Sequence, residues 1–169
     1  MGDGLCHAAR VSWSLLAVPL HRYAGAGALD WAASAEFSRG VPDRAPDAQP
    51  LPTVTEVLAV FREAGCFGVS WFRLADPGCA AGLAGSGEFD LGEVTIQVVG
   101  RSSPDEPVRA DDGVEALGFR KPRPEAVLRA VHALTVTAGP LLVFDDTGFD
   151  VFVVWPDDDG ADLLAEWPW

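Results

Sequence analysis

Basic residues are scarce in this 169-residue chain: twelve Lys and Arg stand against 25 Asp and Glu, for a formal net charge of −13. Phosphate contacts need clustered cations, so a duplex-binding role is excluded and a cationic partner is favoured. Only Lys121 is a lysine, and with abundant Ala, Gly and Pro this is the usage of a high-GC bacterial coding sequence. Cysteine is limited to Cys6, Cys66 and Cys79. An odd number cannot all pair within one chain, and intervals of 59 and 12 residues match no zinc pattern. No disulfide framework, metal or cofactor is expected, and a reducing cytoplasm is the expected compartment. No apolar run approaches the roughly 18 residues of a membrane span. Arg10, the run VSWSLLAVPL and the later AGAGA have the outline of a secretory leader, but Asp3, Ser12, Ser14 and Pro19 interrupt it.

What the chain does contain is apolar side chains, 49% of the total, enough to offset the ordering entropy despite the net charge. One globular domain over residues 1–169 is expected, with loops at 38–53 and 100–113. GVPDRAPDAQPLP, from Gly40 to Pro52, holds four prolines and no apolar period. A helix then begins: Thr53 and Glu56 form a capping box, Val54, Val57, Leu58 and Phe61 fall on one face, and Gly65 stands where a left-handed C-cap belongs. A second helix is predicted from Pro124 to Ala138, with Val127, Leu128, Val131 and Leu134 on its buried stripe.

Strands are predicted at Val11 to Val18, Phe67 to Leu74, Glu93 to Val99, Leu141 to Asp145 and Phe149 to Trp155. The last two make a C-terminal β-hairpin around Asp146, Thr147 and Gly148, where glycine supplies the positive φ of a tight loop. Both hairpin strands are apolar on both faces. They must be central and covered on both sides, or covered on one side and against a partner on the other. A short helix at Ala161 to Glu166 supplies some of that cover. The fold class is therefore α+β: a single mixed, mostly antiparallel sheet of about five strands with the two main helices on one face.

The last 37 residues, Ala133 to Trp169, carry eight carboxylates and no Lys, Arg or His. Asp145, Asp146, Asp150, Asp157, Asp158 and Asp159 are the candidates for contact with a partner, together with Trp167 and Trp169 of the closing WPW. The two indoles either pin the tail to the body or belong to the partner site. Asp146, Thr147 and Gly148 resemble the DTG of aspartic proteases, but Phe149 follows in place of a small residue and no second copy exists. Hairpin-turn preferences explain the triplet. The aspartates from Asp157 to Asp162 lack the ligand order of an EF-hand and read as an acidic helix start. Cys66 follows a helix C-terminus, which raises a thiol pKa, so a nucleophilic pair with His132 is not favoured. GCAAGLAGSG lacks the GK[ST] of a phosphate loop.

One-signed charge, aromatic anchors and no coherent catalytic set fit a non-enzymatic acidic protein that neutralises a basic protein partner, as an immunity protein or inhibitor masks a toxin or nuclease. The alternative is a small enzyme or ligand-binding domain with an aromatic pocket between sheet and helices, lined by Trp71, Phe72 and Trp155.

Overall fold

The structure is a computed structural model that describes residues 13–23, 25, 27–76 and 82–169. Cys6, Cys79, Arg10 and the first residues of the strand predicted from Val11 lie outside the described residues, whereas Ser14–Pro19 of the apolar run VSWSLLAVPL is a strand of the sheet. The chain forms β1 (Ser14–Pro19), α1 (Leu20–Tyr23), α2 (Ala28–Ala33), β2 (Phe37–Arg39), α3 (Val54–Glu63) and β3 (Cys66–Ser70). It continues with β4 (Phe89–Val98), β5 (Val114–Arg120), α4 (Pro124–Ala138), β6 (Leu141–Asp145), β7 (Asp150–Val154) and α5 (Gly160–Glu166).

One mixed sheet runs in the order β2-β7-β6-β1-β5-β4-β3. Its pairs are antiparallel except β2 with β7 and β3 with β4, the two edges. The α+β class and the mostly antiparallel sheet therefore stand, but the sheet has seven strands where five were predicted. The two additional strands have clear reasons for being hidden. β2 is only three residues long and lies at the margin of the expected loop at 38–53. β5 is central, yet its second face reads Glu115, Ala116, Gly118, residues with little preference for strands, and a bulge opposite Gln97 and Val98 puts Val114 out of phase with Leu117 and Phe119.

The helix signals behave as read. Thr53 accepts from the Glu56 amide while Glu56 accepts from the Thr53 amide at 2.7 Å, and Gly65 takes φ +76°. The apolar stripes of α3 and α4 are buried against Leu15, Val94, Ile96, Leu117 and Phe119 on one sheet face. Leu163 and Trp167 extend this layer over Phe152.

The opposite face has its own small core. Val18, Leu142, Val151 and Val153 are buried there beneath Leu20 and Ala32 of α1 and α2. The hairpin β6–β7 is thus central and covered on both sides, with helices as the second cover. Those helices of four and six residues are too short to show a period of 3.6. α1 and α2 cover β6, β7 and the Val18 end of β1, so among the described residues no helix lies over β5, β4 and the rest of β1 on that side.

Trp167 is 9% exposed, meets Phe152 edge-on at 4.9 Å between centroids, and donates from Nε1 to the Pro124 carbonyl at 3.1 Å. Replacing it with Ala removes a large buried indole from the junction of α4, β7 and α5. The expected loss is about 3–5 kcal/mol, measured by chemical denaturation; an unchanged midpoint would show that the tail is not docked in solution.

Candidate functional site

The carboxylates of the C-terminal segment divide between the two ends of the hairpin, separated by roughly 14 Å of strand at 3.4 Å per residue. At the end after β7, they hold the tail. Asp159 caps α5, accepting from the amides of Ala161 and Asp162 at 2.8 and 3.2 Å. Asp158 accepts from Arg39 Nη1 at 2.7 Å and Nη2 at 3.2 Å, and from the Trp155 amide at 2.8 Å. Arg39 also donates to Glu166 at 2.7 Å and to the Val153 carbonyl at 3.2 Å, with its guanidinium 5.0 Å from the Phe152 ring centroid. The segment that lacks basic residues in sequence thus borrows its cation from β2. Trp169 packs edge-on against Trp167 at 4.7 Å, with its buried indole N–H bonded to none of the described residues. Among the acidic candidates at this end, Asp157 is exposed and Asp158 is half-buried in its ion pair.

At the other end, the turn places Asp145, Asp146 and Asp150 together. Asp145 accepts from Thr147 Oγ1 and from the Gly148 amide at 3.0 Å, while Gly148 takes φ +70° as the loop requires. Trp31 lies 3.3 Å from where a Cβ on Gly148 would stand, so a side chain there would both strain the backbone and strike the indole. Parallel pairing of Phe37 with Asp150 brings Glu36, the residue before β2, into the group. Burial first, then the charges of Asp145 and Glu36, push the Asp150 carboxyl above its ordinary value. Among the described residues, no cationic side chain forms an ion pair with Glu36, Asp145, Asp146 or Asp150. Beside this cluster Phe149 is 61% exposed. Tyr23, Trp31 and Phe144 form a mutually packed trio nearby, with centroids 5.6 to 6.0 Å apart.

Sequence reasoning found the three aspartates of this tip but missed Glu36 and Phe149. Glu36 joins through a tertiary strand pair, for which the sequence carries no local signal. Phe149 was assigned to a strand by its apolar character, yet it stands in the turn.

The remaining candidates are dispersed. Trp71 and Trp155 stand at opposite ends of the sheet, five strand spacings or about 24 Å apart. Phe72 packs on the core under α3 and α4, and Trp155 donates to the Gly40 carbonyl at 2.9 Å, so these three line no common pocket. The Cys66 thiol is buried near the Ala126 carbonyl, and burial pushes it up to about 11, which leaves it protonated at neutral pH. Among the described residues, no three His, Cys, Asp or Glu side chains are grouped to hold a metal ion, and no helix is long and apolar enough to cross a membrane. Comparison with protein-family models, with curated proteins and with solved structures returns no match.

The two ends of the hairpin should respond oppositely to pH. Burial opposes ionisation of Asp158, but hydrogen bonds from Arg39 and the Trp155 amide outweigh it and hold the carboxyl below its ordinary 3.8. Its contribution is therefore present above the unfolded value and lost as pH falls through the lower folded value. Asp150, raised in the folded state, opposes folding at neutral pH, and that opposition vanishes as pH falls below its unfolded value. Asp158→Asn should cost about 1.5–3 kcal/mol at pH 7 and less in acid, in keeping with a hydrogen bond between charged groups. Asp150→Asn should raise the melting temperature at neutral pH and leave it unchanged near pH 3. Thermal melts across this range check both signs.

Proposed function

We propose that this chain is a non-enzymatic acidic binding protein that captures a basic protein partner, in the manner of an immunity protein or inhibitor that masks a toxin or nuclease. The observation that carries this reading is the hairpin tip: Glu36, Asp145, Asp146 and Asp150 form no ion pair among the described residues and stand beside an exposed phenylalanine. Burial first, then the charges of Asp145 and Glu36, disfavour the ionised Asp150 carboxyl in the free protein, and a cation arriving from a partner offsets that cost. A net charge of −13 draws such a partner in at long range, and Phe149 gives the encounter an apolar anchor once water is displaced. Asp157 adds to the long-range field from the other end. Asp158, Asp159 and Trp167 contribute by fixing the shape of the tail, since their polar groups are already engaged, while Trp169 adds an aromatic edge beside them.

The test is stopped-flow association with basic proteins encoded beside this chain's own gene. Replacing Glu36, Asp146 and Asp150 together with their amides should slow association about ten-fold at low salt and flatten its salt dependence, with little change in dissociation. Phe149→Ser should act mainly on dissociation. Association of the triple variant at the parental rate in low salt would mean that the acidic tip serves solubility alone.

A further inference from the structure

The face of β1, β5 and β4 that faces away from α3 and α4 holds a slot whose walls come from strand register. Thr95 pairs with Gly118, Gly118 with Leu16, and Leu16 with Phe144. The Trp71 amide donates to the Val94 carbonyl at 2.8 Å, extending the β3–β4 ladder and setting Trp71 beside Thr95. Across the sheet the row therefore reads Trp71, Thr95, Gly118, Leu16, with a gap where Gly118 has no side chain. Along β5, Ala116 continues this low floor. The result is a cavity of about 330 Å³, lined by Leu16, Trp71, Thr95, Gln97, Ala116 and Gly118, adjoining a second of about 210 Å³ toward Ser14 and Arg120. The larger volume lies at the lower end of the roughly 300–1,000 Å³ typical of small-molecule sites.

The chemistry of the slot differs from that of the rest of the surface. One end is closed by Arg120 and Glu93, paired at 3.1 Å, and Arg120 also lies 5.7 Å from the Trp71 ring centroid. At the other end Glu115 is held by Arg22 and by the Gln97 amide, each at 3.2 Å. The loop from Arg101 to Pro104 borders it, with Arg101 bonded to the carbonyls of Ile96, Ser103 and Pro104. Charges around the slot nearly balance in a chain whose net charge is −13. Trp71 is 56% exposed, a large indole left open to solvent. The Thr95 hydroxyl leans over Gly118, where a Cβ would approach it to 2.4 Å, and no described group bonds it.

From this geometry we infer a binding site for a free, uncharged, flat heteroaromatic ring of about the size of a purine nucleoside. The indole of Trp71 offers a stacking surface and Leu16 an apolar wall. Thr95, Gln97, Glu93 and Arg120 offer donors and acceptors to polar groups on the ring's edge. A balanced local charge gives no advantage to a polyanion, and the acidic protein repels one. The slot uses none of the tip carboxylates, although the carbonyl of Ser14 at the margin of its second cavity accepts from the Asp146 amide at 3.1 Å.

Adenosine serves as the probe, by isothermal titration of the whole chain. Saturable binding below about 1 mM is expected. Ala116→Phe, which fills the slot from its floor, and Trp71→Leu, at an exposed position, should each weaken it at least about ten-fold. Asp146→Asn at the hairpin tip should leave it unchanged. Thermal melts confirm that each variant is folded; if Ala116→Phe is not, Trp71→Leu alone decides. Absence of saturation, equal affinity in the folded slot variants, or equal binding of methyl β-glucoside would overturn the assignment. Tighter binding of an oligoadenylate than of adenosine would overturn the free small molecule as occupant.

Discussion

A hairpin whose two strands are apolar on both faces cannot lie at the rim of a sheet, and that constraint organises this molecule. Leu141, Val143, Phe152 and Val154 require a layer on one side; Leu142, Val151 and Val153 require one on the other. The first is met by α4, α5 and Trp167, the second by α1 and α2. Because the second cover is short, it shields only β6 and β7 and their neighbour. Among the described residues, no helix covers that face where β5 and β4 are.

Charge follows the same division. Around the tail, Arg39 brings β2, the Val153 carbonyl, Asp158 and Glu166 to one guanidinium stacked on Phe152. Its planar fork suits this role in a way that a lysine ammonium would not, since several directed bonds converge on one group. Around the slot, arginines and glutamates are likewise matched. At the hairpin tip no described cation pairs with the carboxylates, and burial, then the charges of Asp145 and Glu36, raise the carboxyl of Asp150. An acidic protein can neutralise its carboxylates internally, and this one does so around the tail, around the slot and between Arg109 and Asp111, while no described cation pairs with the tip.

Elements whose signals are local were legible before any tertiary contact was known. Capping by Thr53 and Glu56, the stripe of α3, Pro124 at the start of α4, Gly148 in the turn and the two-sided hairpin all follow from neighbours within a few residues. The abundance and sign of the charge were equally legible, as were three of the four carboxylates at the tip. Tertiary structure alone decided what depends on pairing between distant segments. β5 became central although Ala116 and Gly118 favour strands poorly, because pairing with β1 and β4 and burial of Leu117 and Phe119 outweigh local preference. Glu36 joined Asp150 through a parallel pair, Arg39 reached Asp158 across 119 positions of sequence, and the slot over Gly118 arose from four strands in register. Such features have no local period, since register and long-range ion pairs are chosen by the packing of the whole chain.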